Sequence, residues 1–191
     1  MPVEIVPLTP ARWPLLEALF GKRGAVSGCW CLYFVQPRPV WKSHTSAGNR
    51  SQFRKEVAAG PPPGLLAVEG GKALGWMRIG PRAAVPRWNA PQRSSAPPDP
   101  ADAEDAAVWA ISCFVVARPA RGRGLMHLLV GAGVEFARRN GARAVDACPI
   151  AAGRKVGEDT LFVGAESVFL KAGFRRIALK TAGRPLLRMD L

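Results

Sequence analysis

The most regular hydrophobic pattern in the chain begins with an apolar run at residues 108–117 and continues, after a short break, with apolar residues at helical spacing. The run is long enough for a buried strand. The spaced positions lie three or four residues apart and predict an amphipathic helix facing a core: Leu125, Leu128, Leu129, Ala132 and Phe136. Arg138 and Arg139, followed by Asn140-Gly141, give this helix a cationic last turn and a stop.

Shorter patterns define the other elements. Apolar runs predict strands at residues 3–7, 65–68, 73–79, 144–149, 174–180 and 185–191, and helical spacing predicts helices at 10–20, 50–59 and 161–172. The segment Gly28–Val35, dense in aromatic residues and thiols, is typical of a buried strand or turn in the core. Residues 86–106, rich in Pro, Ser and Asp, are typical of a long surface loop, either a flexible linker or a mobile lid over a substrate.

These elements follow one another in the order βα, α, ββ, βα, βα, ββ, which predicts a mixed α/β (α+β) sheet with helices on its faces. The 191 residues, nearly half of them hydrophobic, suffice for a full core, and we expect a single domain over residues 1–191. A dinucleotide-binding fold is not expected. Its phosphate-binding loop normally follows the first strand, whereas the glycine-rich break of this chain follows the fourth.

The composition narrows the classes of partner. A formal net charge of +13 is compatible with an anionic cofactor, with nucleic acid or with an arginine-rich composition. The basic residues are scattered and form no stripe interleaved with aromatics, so nucleic acid is the less favoured partner. No apolar run of about twenty residues and no signal-peptide pattern occur, which indicates a cytoplasmic protein without a membrane span. We expect the four cysteines to be reduced and no metal to be bound, because Cys29 and Cys31 have only His44 as a further ligand.

The break between the long strand and the helix, residues 118–126, has the composition of a phosphate-binding loop. Gly122 and Gly124 allow a tight turn, so that successive backbone N–H groups point into one concavity. These groups then belong to a helix N-terminus, where they lack intrahelical partners and the helix dipole favours an anion. Arg121 and Arg123 add positive charge. Arg-Gly turns also occur as solvated connections, so the surroundings of the loop decide its meaning.

The surroundings resemble the GNAT acetyltransferase superfamily, whose signature is Arg or Gln, two residues, Gly, one residue, then Gly or Ala. The stretch Arg121-Gly122-Arg123-Gly124-Leu125-Met126 matches this signature except at Met126. A second hallmark, a helix ending in Ala-Gly-Phe, occurs as Phe169-Leu170-Lys171-Ala172-Gly173-Phe174. The resemblance covers residues 3–191. Within it the chain looks like a bacterial subgroup with an early Cys-Trp-Cys segment, for which no single substrate is implied.

The resemblance implies a mostly antiparallel sheet of about seven strands flanked by about four helices, with a V-shaped split between the fourth and fifth strands. It implies acetyl-CoA as a co-substrate in this split, with the pantetheine along Phe114, Val115 and Val116. The pyrophosphate would meet the backbone amides of Arg121, Gly122, Arg123, Gly124, Leu125 and Met126. A backbone N–H near Val115 would polarise the thioester carbonyl, and an amine entering from the other side would attack it.

The chain offers few groups for the proton transfers of such a reaction. Many relatives place a tyrosine four residues before the Gly of Gly-Phe, where this chain has Phe169, which cannot donate a proton. We still expect Phe169 beside the cofactor. Some relatives carry a glutamate early on the fourth strand, but the stretch here reads Val108-Trp109-Ala110. Tyr33, His44 and Asp105 remain as candidate catalytic residues.

The sequence therefore favours an N-acetyltransferase that moves an acetyl group from acetyl-CoA to a primary amine of a small molecule or peptide, in a ternary complex. Two alternatives stay open. Because Phe169 replaces the tyrosine and no base is evident, the chain could be a CoA-binding sensor or interaction module. Its charge alone would fit an RNA- or ribosome-associated protein. The acceptor and the oligomeric state, including a homodimer, are left open by the sequence.

Overall fold

One seven-stranded sheet organises the part of the chain that the computed structural model describes, residues 2–154 and 157–191. Its strands are β1 (Glu4–Pro7), β2 (Gly64–Glu69), β3 (Lys72–Pro81), β4 (Val108–Val116), β5 (Ala144–Ala147), β6 (Arg175–Thr181) and β7 (Arg184–Asp190). Their order across the sheet is β1-β2-β3-β4-β5-β7-β6. All neighbours are antiparallel except β4 and β5, which are parallel. The mixed, mostly antiparallel architecture predicted from the sequence is confirmed.

Five α-helices flank the sheet within the described residues: α1 (Trp13–Phe20), α2 (Arg38–Lys42), α3 (Ser46–Ala59), α4 (Leu125–Arg139) and α5 (Glu166–Lys171). The short α2 was not predicted. Helix α3 begins four residues before the predicted start, because the hydroxyl of Thr45 caps it by accepting a hydrogen bond from the Gly48 N–H at 3.0 Å. None of the described helices is long and apolar enough to cross a bilayer.

The helix predicted at 161–172 is shorter than expected. Its first residues instead belong to a 3₁₀ segment, Glu158–Val163. Gly164 separates the two pieces, because its φ of +84° is incompatible with a continuous right-handed helix. Strand β5 also ends at Ala147 instead of the predicted residue 149.

The segment Gly28–Val35 forms consecutive turns, and the strand alternative is wrong. Trp30 and Cys31 have positive φ angles of 44° and 56°, which a strand does not tolerate. Tertiary packing holds this conformation, since the buried Trp30 ring stacks on Trp13 with centroids 6.0 Å apart. Local pattern alone could not reveal a turn fixed by contacts so distant in sequence.

The core has two sides. Helix α4 covers one face of the sheet, where its Leu129 packs with Met77 and Ile111. Helices α1 and α3 cover the opposite face, where Phe53 of α3 meets the fully buried Trp76 at 5.8 Å. Helices thus cover both faces of the sheet, which explains why the sequence of β4 is almost continuously apolar.

The loop over residues 86–106 is anchored to the sheet. Arg82, fully buried at the end of β3, forms an ion pair with Asp146 of β5 and donates a hydrogen bond to the Ser95 carbonyl at 2.6 Å. The Arg82 guanidinium also lies 4.6 Å from the ring centroid of Trp88, which is itself buried. The middle of the loop therefore belongs to the core, while the mobility expected of it remains a prediction.

Candidate functional site

A split opens between the fourth and fifth strands at the centre of the sheet. Strands β4 and β5 pair only where Val108–Ile111 faces 144–147. Strand β4 continues to Val116 without β5 beside it. Beyond β5 the chain pairs instead with the segment before α5, through a hydrogen bond from the Ile150 N–H to the Gly164 carbonyl at 2.9 Å. The outer half of β4 is thereby separated from its parallel neighbour.

A β-bulge marks the point where the strands part. In the pairing of β3 with β4, Arg78 faces Cys113 while the next residue, Ile79, faces Ile111. Ser112 is therefore an additional residue in β4. A bulge bends the strand that carries it and increases the local twist, so it directs the end of β4 away from β5. The Ser112 side chain is buried and its Oγ atom has no hydrogen-bond partner.

The backbone groups that face the split follow from the alternation of the antiparallel ladder. The Ala117 N–H donates to the Leu74 carbonyl of β3 at 2.9 Å, which directs the backbone groups of Val115 toward β3 as well. The N–H and C=O groups of Phe114 and Val116 then point to the open side. The donor expected near Val115 is accordingly better supplied by Phe114 or Val116, one residue to either side.

The glycine-rich loop connects the end of β4 to the beginning of α4. Gly122 and Gly124 have φ angles of 75° and 76°, the left-handed conformation that glycine adopts without strain. Space is open around the position where each would carry a Cβ atom. Helix α4 begins at Leu125, so its first N–H groups point out of an N-terminus where the helix dipole gives a partial positive charge, although the His127 N–H already donates to the Gly124 carbonyl at 3.0 Å.

One arginine of the loop, Arg123, differs from the expectation that it adds charge for an anion. Arg123 forms a two-pronged ion pair with Glu69 at the end of β2, with N–O distances of 2.7 and 3.1 Å. Its charge is thereby largely compensated. The Glu69 contact also ties the loop to the hairpin of β2 and β3. The anion-binding capacity of this loop thus rests on its backbone amides more than on Arg123.

Phe169 of α5 closes the inner end of the split. It is fully buried and contacts Phe114 and Phe174 edge to face, with centroids 6.1 and 5.3 Å apart. Gly164 fits tightly against this group: a Cβ atom there would lie 2.9 Å from Phe169, 3.2 Å from Phe114 and 3.4 Å from Met126 of the first turn of α4. The predicted neighbours Phe114, Met126 and Phe169 are therefore brought together, around a glycine that the sequence did not single out.

Asp105 lies away from the split. It precedes β4, at the opposite end of that strand from Phe114, where it accepts a hydrogen bond from the Ala107 N–H at 2.8 Å and pairs with Arg143 at 2.9 Å. The first of these hydrogen bonds, followed by the one from Arg143, lowers the pKa of the carboxyl group. A carboxylate held in this way anchors a turn, so the structure does not bring Asp105 to the candidate site.

His44 and Tyr33 lie together on the face opposite α4. The His44 ring stacks on Trp41 at 4.0 Å, with Nε2 lying 3.3 Å from the Ser27 carbonyl, and Tyr33 meets the same Trp41 edge to face at 5.1 Å. His44 also contacts the Trp41 carbonyl through Nδ1. Both of its ring nitrogens thus have backbone partners, which suits a packing role better than proton transfer.

Tyr33 has a cationic environment. The Arg93 guanidinium donates to its hydroxyl at 3.3 Å, and Arg87 lies over its ring at 4.3 Å. Partial burial raises the pKa of Tyr33, but the hydrogen bond from Arg93 and the charges of Arg93, Arg87 and Arg38 outweigh it, so the pKa is lowered. The surroundings of Tyr33 therefore favour its deprotonated form, and unlike Asp105 it lies on the face of the sheet that α4 does not cover.

Comparison with known families decides the relationship of the chain. The model of the acetyltransferase (GNAT) family matches residues 24–155, more than half of the chain. The chain belongs to the GNAT family. The comparison with curated proteins found no significant match.

Solved structures share the GNAT fold over the full length of the chain. A GCN5-related N-acetyltransferase from Kribbella flavida has 23% sequence identity and a TM-score of 0.57, covering 99% of this chain and 98% of its own. The protein yncA from Salmonella typhimurium, solved with acetyl-CoA, has 14% identity and a TM-score of 0.56, with 99% and 94% covered. The PaiA N-acetyltransferase from Thermoplasma acidophilum, in complex with coenzyme A, has 9% identity and a TM-score of 0.57, with 100% of both chains covered.

A cavity lies beside Tyr33 in this GNAT chain. Its volume is about 280 Å³, and it is lined by Tyr33, Phe34, Gln92, Arg93, Ser94, Ser95, Phe162 and Arg184. These residues come from four separate parts of the chain. Among the described residues, no three His, Cys, Asp or Glu side chains converge as a metal site would require.

Proposed function

We propose that this GNAT protein is an N-acetyltransferase that uses acetyl-CoA as its co-substrate and acetylates a primary amine by direct attack in a ternary complex. The observation that carries the proposal is the alignment of an unpaired β4 edge with the glycine-rich N-terminus of α4. One supplies a row of backbone hydrogen-bonding groups and the other an anion site. Acetyl-CoA, with an amide-containing arm and a diphosphate, is complementary to both.

The two ends of the co-substrate are held by different groups. The diphosphate binds the backbone amides around Gly122 and Gly124, where positive φ angles and open space allow close approach. The amides of the pantetheine arm pair with the outward backbone groups of Phe114 and Val116. The acetyl group then reaches the bulge of β4, beside the buried and unpartnered hydroxyl of Ser112.

The transfer forms one C–N bond and breaks one C–S bond. The neutral amine attacks the thioester carbon, and the oxygen of the tetrahedral intermediate is stabilised by a backbone N–H of β4. Collapse of this intermediate expels the CoA thiolate, and the nitrogen loses a proton. Tyr33, with its lowered pKa, is the candidate acceptor for a proton of the incoming ammonium. Phe169 cannot protonate the thiolate, so that proton comes from solvent.

The decisive experiment is a calorimetric titration with acetyl-CoA, with dephospho-CoA and desulfo-CoA as controls, followed by measurement of thiol release across a panel of amines. Weaker binding of dephospho-CoA shows that the 3′-phosphate contributes to affinity, and similar binding of desulfo-CoA shows that the thiol does not. Amine-dependent thiol release establishes the transfer. A protein that binds no CoA derivative would overturn the proposal.

One observation favours a second candidate. Phe169 occupies the place of a proton donor and is fully buried, which fits a protein that retains the CoA cleft as a sensor or interaction module. This candidate predicts tight acetyl-CoA binding with no amine-dependent thiol release for any acceptor. The same two measurements therefore separate it from the enzyme.

A further inference from the structure

Two arginines, Arg93 and Arg184, line the cavity beside Tyr33, and a third, Arg87, lies over the Tyr33 ring. Arg93 lies against the rings of Tyr33 and Phe34 at 5.3 and 5.1 Å, and Arg87 lies against Tyr33 at 4.3 Å. Arg184 donates to the backbone carbonyls of residues 148 and 149 at 2.8 and 3.2 Å. No ion pair joins these three arginines to a carboxylate among residues 2–154 and 161–191, the parts of the chain whose side chains the structure describes.

Several arginines elsewhere in the fold do pair with carboxylates. The buried Arg82 pairs with Asp146, and the nearly buried Arg188 bridges Asp146 and Asp102. The exposed Arg175 pairs with Asp190. Other arginines, such as Arg12 and Arg154, donate to backbone carbonyls as Arg184 does. The fold thus pairs several of its arginines with carboxylates. Around Tyr33 it leaves several positive charges together, which repel one another unless an anion joins them.

The position of the cavity relates it to the split. Phe34 and Phe162 line it and pack with Cys148 and Ala110, on the face of the sheet that α4 does not cover. Cys148 directly follows β5, so the cavity borders the β5 side of the split. The diphosphate site lies at the N-terminus of α4, on the other face. A second substrate entering through the cavity would therefore approach the β4 edge from the side opposite the co-substrate.

We infer that the cavity binds a carboxylate of the amine acceptor, so that the acceptor class is a small amine bearing an anionic group. This inference rests on the proposed function. Arg93 and Arg184 supply charged N–H donors for the carboxylate, and Ser94 and Ser95 add polar groups. The aromatic ring of Tyr33 provides an apolar surface for the carbon atoms of the acceptor. A volume of about 280 Å³ suits an amino acid or the end of a short peptide, and polycations are disfavoured by charge.

Matched acceptors test the charge preference. We would compare glycine with glycinamide and aspartate with asparagine, and the dipeptides Asp-Gly and Asn-Gly to separate free amino acids from peptide ends. In the native protein we expect kcat/KM to favour the carboxylate member. In Arg93→Gln and Arg184→Gln the carboxylate-to-amide ratio should fall about ten- to hundredfold, the usual consequence of removing a hydrogen bond to a charged group. Arg139→Gln, an exposed arginine at the end of α4, is the matched control and should leave the ratio unchanged.

A second readout does not depend on turnover. Tyr33 is the only tyrosine in the chain, so the near-ultraviolet absorbance of tyrosinate reports on it alone. An acetate ion beside Arg93 competes for the guanidinium and places a negative charge near the phenol. We therefore expect acetate to raise the pKa of Tyr33, with acetamide and equal ionic strength of sodium chloride as controls. Arg93→Gln should raise this pKa without acetate and abolish the response to it.

The outcomes separate this inference from the proposed function. If acetyl-CoA binds and neutral or polycationic amines are acetylated in preference to acidic ones, the acceptor class is wrong and the enzymatic function stands. If acetyl-CoA does not bind, the function fails, while the Tyr33 titration still reports whether the cavity holds an anion. An unchanged Tyr33 pKa in acetate would overturn the anion site itself.

Discussion

Asp146 of β5 offers a sharp test of how the split is held together. Its carboxylate accepts hydrogen bonds from Arg188 at 2.7 and 2.8 Å and forms an ion pair with Arg82, and both Asp146 and Arg82 are fully buried. Asp146→Asn keeps the size of the side chain and one oxygen acceptor. Its new NH₂ group, however, must face an arginine N–H group, and the positive charge of Arg82 loses its counter-charge in the core.

The expected loss is large. Removing one partner of a buried ion pair costs about 3–5 kcal/mol, because the remaining charge stays desolvated. For a chain of this length, 1 kcal/mol corresponds to about 2–4 °C in Tm, so Asp146→Asn should melt roughly 6–20 °C lower. The matched control is Asp190→Asn on the neighbouring strand. Asp190 and Arg175 are both more than half exposed, and their ion pair at 2.7 Å should contribute less than about 1 kcal/mol.

Urea denaturation followed by tryptophan fluorescence and circular dichroism measures both variants. If the free energy of unfolding of Asp146→Asn lies within about 1 kcal/mol of that of the native protein, the ion pairs of Asp146 contribute less to stability than their burial implies. Cooperative melting of all variants is required for the comparison, and coincidence of the two spectroscopic probes checks it.

Three further predictions concern the cleft and its borders. Gly124→Val forces a branched side chain into a left-handed conformation at the diphosphate site and should weaken acetyl-CoA binding by at least about tenfold in calorimetry, whereas Gly131→Ala, in open space on α4, should not. Phe169→Tyr adds a proton donor and should raise kcat for acetyl transfer with an unchanged Kd for acetyl-CoA; a lower kcat at native Tm would show that thiolate protonation is not limiting. The hydrogen bond from Arg176 lowers the pKa of Glu166, so its stabilisation is present above the unfolded pKa of about 4.5 and is lost as the pH falls through the folded pKa. Glu166→Gln should therefore lose less unfolding free energy than the native protein between neutral pH and about pH 3 in urea titrations.

The sheet and helix α4 were predictable because the sequence patterns that indicate them are local. The apolar run of β4, the spacing along α4 and the glycines at 122 and 124 each report on their own conformation. Resemblance to the GNAT family then supplied the order of the strands and the split. These parts of the prediction did not depend on contacts between residues far apart in the sequence.

The turns at residues 28–35 and the charge pairs depended on such contacts, so the sequence left strand and turn open for that segment and did not reveal the pairs. Trp30 adopts a positive φ only because its ring packs on Trp13, and Arg123 is diverted to Glu69, which lies 54 positions earlier in the chain. The cavity beside Tyr33 is assembled from four segments, including Arg184 near the C-terminus. The four segments are far apart in the sequence, so no periodicity could reveal that they meet. Tyr33 itself was identified because tyrosine is rare in this chain, while its arginine neighbours carried no signal.

The additional residue at Ser112 has a consequence for how this chain can vary. On either side of the bulge, Ile111 and Phe114 present their side chains to the same face of the sheet, so the strand would keep its facing pattern if Ser112 were deleted. Deletion would remove the extra residue, and with it the bend and additional twist that a bulge gives its strand. The course of the outer half of β4 therefore depends on the number of residues in the strand, which a substitution at Ser112 would leave unchanged.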